Sequence, residues 1–205
     1  MTKIRRDQVV SAALELLDEL GLDALSTRRL AQKLEVESAS LYWHFRDKAA
    51  LLAEMAAAML VAHQALGVPP DPSRWSTWFV DNARSLRRAL LAHRDGARLH
   101  TSAPAGSEDS TRSRPKIDYL VRAGLTPGEA GMALFAAHQF TIGCVLDEQA
   151  QDQKSGSAPR RELATPKHID RLGASERVDP EAAFEFGLAL MVDGLGRRVV
   201  SRSRR

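Results

Sequence analysis

The sequence predicts an all-α protein with an N-terminal three-helix head, built around a helix-turn-helix, and a larger C-terminal helical domain. Two observations predict this class. Apolar residues recur with helical spacing along nearly all of the 205-residue chain, and no segment alternates apolar and polar residues as a half-buried strand does. In addition, two short helical segments within residues 26–46 are separated by about three residues, the layout of a helix-turn-helix.

Composition limits the class of protein. Hydrophobic residues make up 44% of the chain, and a single cysteine, Cys144, excludes an internal disulfide framework and a cysteine-rich zinc site. No apolar run reaches the roughly 20 residues that span a bilayer, and the start MTKIRRDQ lacks the apolar stretch of a secretory signal. We therefore expect a cytoplasmic protein without a membrane segment.

Enzyme motifs are missing from the sequence. It contains no nucleophile elbow, P-loop, HExxH or CxxC motif, and its six histidines are dispersed. We therefore do not expect an enzyme. The net charge of +3 is only a mild indication of an anionic partner.

The head begins with an amphipathic helix that ends at Gly21, a residue suited to a left-handed C-cap. Its apolar stripe consists of Val9, Ala13, Leu16, Leu17 and Leu20. Ser26 or Thr27 can cap the second helix, and Asp47 can cap a fourth, longer helix. These caps divide the first sixty residues into four helices.

The third helix, SASLYWHF over residues 38–45, has an unusual division of residues. Leu41 and Phe45, four residues apart, face inward, which leaves Tyr42 and Trp43 exposed on a very short helix. Exposed aromatic rings contribute little to stability, but they can pack on sugar and donate hydrogen bonds to phosphate oxygens. The alternative is a small core helix with buried aromatic residues.

The C-terminal half shows several helix boundaries. A break follows Gly67, and a helical pattern resumes at Ser73. The polar residues 101–115 read as a linker, and Thr126-Pro127-Gly128-Glu129 forms a capping box that starts a long helix. Residues 151–166 are polar and contain Ser, Pro and Gly, so we expect a mobile loop there.

The final helix opens at Asp179-Pro180 and is apolar on more than one face, because Phe186 and Leu190 lie off its main stripe. Such a helix is usually covered on more than one side. We therefore expect a homodimer that pairs through helices near residues 127–149 and 180–198.

The stretch TRRLAQKLEVESASLYWHFRDKAALL resembles the DNA-binding region of the tetracycline-repressor (TetR) family. Further similarity lies in NARSLRRALLAHRDGARLH, HQFTIGCVL and AFEFGLALMVDGL of the second half. The resemblance implies a DNA-binding domain over residues 1–46, a connecting helix over 47–66 and an effector-binding and dimerisation domain over 67–205. It also implies a repressor that binds a palindromic double-stranded DNA operator and is released by a small-molecule inducer.

The resemblance assigns roles to residues of the head. Arg28 would reach a guanine edge, and Thr27 would support the phosphate side. Backbone contacts would come from Tyr42, Trp43, His44 and Lys48. Ser38, Ala39 and Ser40 stand where relatives carry Gln, Pro and Thr, so the operator can differ there. Glu35 replaces a glycine of the turn, at a cost on the order of 1 kcal/mol if the backbone stays left-handed.

In the second half, the resemblance implies an effector site and a metal that binds only together with the effector. The effector residues would be Gln64, Asn82, Leu86, His100, Ala103, Lys116, Leu134 and His138. Mg²⁺ would bind His100 directly and Asp147 through water. The resemblance implies a tetracycline–Mg²⁺ chelate as the effector. Because the Lys116 cation would repel such a chelate, a different drug-like or metabolite ligand is an alternative. A repressor without any small-molecule effector is the remaining alternative.

Overall fold

The structure, a computed structural model, describes residues 4–103, 109–155 and 178–203, and these ranges contain helices and no strand. The three-helix head consists of α1 (Arg6–Leu20), α2 (Thr27–Lys33) and α3 (Ser38–Leu41), and α4 (Lys48–Met59) follows it. The larger domain consists of α5 (Val61–Gln64), a 3₁₀ turn (Pro72–Arg74), α6 (Trp75–Leu91), α7 (Gly96–Ser102), α8 (Asp109–Arg122), α9 (Pro127–Ser155) and α10 (Pro180–Ser203). The predicted all-α class is confirmed.

The head folds around the stripe of α1. Its first four apolar residues are buried, but Leu20 is 37% exposed, so its predicted inward position is wrong. The helix ends there, and the Gly21 N–H donates to the Leu17 carbonyl; with φ of 79° and ψ of 168°, Gly21 has the positive φ expected of the cap but not the αL conformation. The Ser26 hydroxyl accepts the Arg29 N–H at 3.3 Å, and the Asp47 carboxylate accepts the Ala50 N–H at 2.7 Å. Both helices therefore begin at predicted caps.

The larger domain packs α8 and α10 against α6 and α9. The α6–α8–α9 layer buries Trp78, Phe79, Tyr119 and Leu120, and the Trp78 indole N–H donates to the Gly67 carbonyl at 3.0 Å. By length and composition, residues 127–153 of α9 could cross a membrane. Here the helix packs as the central helix of this domain instead.

Two stretches differ from the sequence prediction. Helix α7 runs to Ser102, and helix α8 starts at Asp109 and contains Pro115, so both enter the stretch 101–115 that was predicted as a linker. Residues 104–108 of that stretch lie outside the described residues. Packing of Tyr119 and Leu120 outweighs the local preference of the polar stretch. Helix α9 continues through residues 151–155, which were predicted as loop, because Gln153 hydrogen-bonds Asp95 at 2.7 Å. The rest of the predicted loop, 156–166, lies outside the described residues.

The head and the larger domain meet at the corner between α6 and α7. Asp95 has φ of 56° and is 3% exposed, and its carboxylate accepts the Leu22 N–H at 2.9 Å. The Asp18 carboxylate accepts the Arg94 N–H at 2.9 Å. Helix α4 contacts both α1 and α7. The domain boundaries at residues 46 and 66 stay a prediction.

Hydrogen bonds set the charge of Asp95. Burial by itself would raise the pKa of this carboxyl, but donors on Leu22, Gln153 and Arg98 outweigh burial and lower the pKa. The Arg98 guanidinium also bridges to Asp23 at 2.7 Å. The corner therefore holds an ionised carboxylate that is hydrogen-bonded to the head and to α9.

Gly96 is required by close packing at this corner. A Cβ at this position would lie 2.1 Å from the Leu90 carbonyl oxygen and 3.2 Å from the Met59 sulfur. We expect Gly96→Ala to lower the free energy of unfolding by about 1–3 kcal/mol, because backbone must move. Chemical denaturation checks this. The matched control is Gly128→Ala, where a Cβ meets nothing within 4 Å; equal effects of both variants would contradict the prediction.

Candidate functional site

The turn between α2 and α3 forms the frame of the first candidate site. Glu35 has φ of 53°, so the left-handed backbone of the turn is kept although the glycine is replaced. The Val36 N–H donates to the Ala31 carbonyl at 3.0 Å and closes the turn. The strain of Glu35 costs on the order of 1 kcal/mol, so the tight turn is kept without its glycine.

The third helix is shorter than predicted. Helix α3 ends at Leu41, and hydrogen-bonded turns continue the chain through His44. The Tyr42 N–H donates to the Ala39 carbonyl and the Phe45 N–H donates to the Leu41 carbonyl. Leu41 and Phe45 are 3% and 4% exposed, as predicted. These two side chains anchor the segment to the head.

The aromatic residues of this segment face solvent. Trp43 is 89% exposed and Tyr42 is 56% exposed, so the alternative of a core helix with buried aromatic residues is wrong. Ser38 and Ala39 at the start of α3 are exposed, and Ser40 is half-buried. The segment therefore presents small residues at its tip and rings at its end.

Basic residues border the same surface. Arg28 is exposed and makes no hydrogen bond within the described residues. The Lys48 ammonium donates to the Leu25 carbonyl at 2.8 Å. Thr27 and Tyr42 line one shallow depression, and His44 is half-buried beside Phe45. This surface combines a free guanidinium, an ammonium and exposed rings, the groups that contact a phosphate backbone.

A second group of polar side chains lies inside the larger domain. The Lys116 ammonium of α8 donates to the Asn82 side-chain oxygen of α6 at 2.8 Å, and both residues are half-buried. Burial lowers the pKa of Lys116. The His100 and His138 Nε2 atoms are 3.3 Å apart, with their rings at 70°. The structure thus brings together four of the predicted effector residues as two pairs.

His63 of α5 is a member of this group that the sequence analysis missed. It is 9% exposed, and its Nδ1 has no hydrogen-bond partner. Burial, together with the positive charges of Lys116, His138 and His100, lowers its pKa to about 4. Its position continues the Met55–Met59 stripe by four residues, a signal that places it inside the domain.

The other predicted effector residues lie in varied surroundings. Leu86 is buried in the hydrophobic core, whereas Gln64, Ala103 and Leu134 are half-buried. Asp147 is exposed, and it lies nine residues after His138 on α9, which places it on the opposite side of the helix. No group of three metal-ligating side chains converges in the described residues. The roles of these residues stay predictions.

Two arginines of α6 have carboxylate partners. Arg87 is 8% exposed and pairs with Glu148 at 2.7 Å and with Glu181. Arg84 pairs with Glu185 at 2.6 Å. These ion pairs tie α6 to α9 and α10.

Both parts of the chain match known family models. Residues 9–55 match the model described as "Bacterial regulatory proteins, tetR family", and residues 68–199 match "Tetracyclin repressor-like, C-terminal domain". The two models cover the head and the larger domain.

Relatives match over nearly their full length. The class A tetracycline repressor protein from transposon 1721 of Escherichia coli is 42% identical, with 97% of this chain and 93% of that protein covered. A possible TetR family regulator from Streptomyces coelicolor A3(2) is 38% identical, with a TM-score of 0.81 and coverage of 94% and 99%. TetR(class A) in complex with 5a,6-anhydrotetracycline and magnesium is 40% identical, with a TM-score of 0.75 and coverage of 95% and 99%.

The low pKa of His63 makes stability depend on pH. Below pH 6.5 the unfolded chain protonates this imidazole, whereas the folded protein keeps it neutral down to about pH 4. The free energy of unfolding should therefore fall, by about 3 kcal/mol, as pH falls from 6.5 to 4. Denaturation of His63→Gln across this range should show a shallower loss, with His44→Gln as the control. An unchanged pH profile in His63→Gln would show that the assignment is wrong.

Proposed function

The chain belongs to the tetR family of bacterial regulatory proteins, and we propose that it represses transcription as a homodimer until a small-molecule effector releases it from a palindromic operator. Like its relatives, which are repressors, it is a DNA-binding regulator and not an enzyme. Because the operator is chromosomal or plasmid DNA, we expect the protein to act in the cytoplasm.

The DNA contacts follow from the exposed surface of the head. The observation that carries the proposal is Trp43, a large ring that is 89% exposed at the end of the helix-turn-helix. We assign Arg28 to a guanine edge, and the tip of α3 to neighbouring base edges. The backbone would be held by Thr27, Tyr42, Trp43, His44 and Lys48. The tip consists of Ser38, Ala39 and Ser40.

The dimer would form through α9 and α10. Met132 and Phe135 of α9 are both 66% exposed, and Phe186 and Leu190 of α10 are 67% and 57% exposed. Four large apolar side chains on the two helices of one domain are typical of a covered interface. A twofold dimer would place two recognition segments one DNA turn apart, roughly 34–36 Å.

The effector would bind among the polar side chains inside the larger domain. The unpartnered His63 Nδ1 and the half-buried Lys116 ammonium are groups that a ligand can satisfy. His100 lies on α7, which begins at the corner that contacts the head. A ligand that shifts α7 would change the position of the head, with a coupling typically of about 1–3 kcal/mol.

A tetracycline–Mg²⁺ chelate is the effector that the class A relative suggests. The metal would bind His100 directly and Asp147 through water. Within one subunit the described residues do not fit Mg²⁺, which prefers oxygen ligands. His100 lies against the His138 imidazole, and Asp147 lies exposed on the other side of α9 from His138. No step of the proposal therefore depends on the metal.

Trp43 is the residue with which the DNA interface is tested. DNA selected from a random pool should be palindromic, and Trp43→Ala should weaken its binding roughly tenfold, about 1.4 kcal/mol, through loss of backbone contacts. Fluorescence anisotropy measures the affinity. The thermal stability should not change, because the ring is exposed. The control is Val61→Ala, an apolar residue that is 62% exposed away from the head surface; an unaffected Trp43→Ala would refute the interface.

Phe186 is the residue with which the dimer interface is tested. Phe186→Asp should convert the protein to a monomer at micromolar concentration, because a carboxylate would be buried against a second apolar surface. Sedimentation velocity gives the mass of the particle. Val61→Asp adds the same charge at an exposed apolar position outside α9 and α10 and should remain dimeric. A dimeric Phe186→Asp, or a wild-type monomer, would rule out this interface.

A further inference from the structure

The ammonium of Lys116 has no acidic partner in the polar group inside the larger domain, within the described residues. Lys116 bonds only the neutral Asn82 amide, and no carboxylate lies within ion-pair distance of it among the described residues. The charges that depress the pKa of His63 are Lys116, His138 and His100, which are all basic. The group therefore contains an ammonium and three imidazoles without an acidic partner for the ammonium.

The surroundings of Lys116 differ from those of two arginines in the same domain. Arg84 and Arg87, on the same helix as Asn82, each pair with glutamates of neighbouring helices. Burying an ammonium without a counterion is unfavourable, and an anion beside it recovers the lost solvation. Lys116 is therefore a half-buried cation for which the described residues supply no carboxylate counterion.

We propose that the effector is an organic acid with an apolar body, and that its anionic group pairs with the Lys116 ammonium. This inference rests on the proposed function and specifies the chemistry of its effector. The Asn82 amide, whose oxygen now accepts from Lys116, can turn its N–H groups toward an anionic oxygen. The imidazoles of the group lie nearby, and their ring N–H groups can donate hydrogen bonds to the anion.

The apolar body follows from the helices around the ion pair. Asn82 and Lys116 lie on α6 and α8, whose contact with α9 buries Trp78, Phe79, Tyr119 and Leu120. Half-buried Ile117 and Leu134 pack at the edge of this cluster. A ligand that reaches Lys116 from between these helices contacts mainly apolar surface, so an aromatic or aliphatic acid fits better than a polar one.

The charge also separates this effector from a metal chelate. A divalent cation held near Lys116 would be repelled by the ammonium, whereas an acid gains from it. Binding of the effector is therefore independent of Mg²⁺, and EDTA does not weaken it. Lys116 is the residue that determines this selectivity for an anion.

Two dyes of the same skeleton test the proposal on the full-length dimer. 1-Anilinonaphthalene-8-sulfonate carries an anionic group, and N-phenyl-1-naphthylamine lacks it. The wild-type protein should bind the sulfonate at least tenfold more tightly than the neutral dye, with or without EDTA. Lys116→Gln should abolish this preference and leave the affinity for the neutral dye within twofold. Lys116→Arg should keep it.

Arg88→Gln is the control variant, because it removes a cation from the exposed side of α6 and should keep the preference. Equal affinities of the wild type for both dyes, no saturable binding, a preference that needs Mg²⁺, or an unchanged preference in Lys116→Gln would each overturn the proposal. Binding to selected DNA is measured on the same preparations. A protein that binds DNA without dye preference contradicts this inference alone, and one that binds no DNA contradicts the proposed function.

Discussion

The arrangement of the two domains depends on the hydrogen bonds that the Asp95 carboxylate accepts. This residue is buried, it sits in a left-handed backbone, and it accepts hydrogen bonds from Leu22 of the head and Gln153 of α9. Next to it, the backbone at Gly96 passes so close to the Leu90 carbonyl that a side chain cannot fit. The corner between α6 and α7 is therefore a dense, specific joint. Its geometry fixes where the head stands relative to the larger domain.

This joint gives the proposed regulation a physical route. Helix α7 starts at the corner and carries His100, which lies against His138 of α9. The same corner contacts Met59 of α4 and, through Asp18 and Arg94, the end of α1. An effector that repositions α7 must therefore change the contacts of the head. It can shift the DNA-binding equilibrium only by its difference in affinity for the two arrangements.

The sequence predicts the elements that depend on local chemistry and fails where distant packing decides. The caps at Ser26 and Asp47 and the exposed Trp43 follow from local residue types and from the helical period. The helical residues 151–155 could not be predicted, because their conformation depends on an anchor 58 residues away in the chain. The Lys116–Asn82 hydrogen bond joins two helices, so the spacing of the two residues along the sequence does not predict it. His63 was overlooked although the stripe of α4 points to it.

The central claim is that one conformational equilibrium links the effector site to the DNA surface. The affinity for 1-anilinonaphthalene-8-sulfonate, measured with and without saturating operator DNA, tests it most directly. Linkage requires that the operator weakens dye binding by the same factor by which the dye weakens operator binding, on the order of 5- to 150-fold for typical couplings. A dye affinity that is identical with and without the operator would contradict the account.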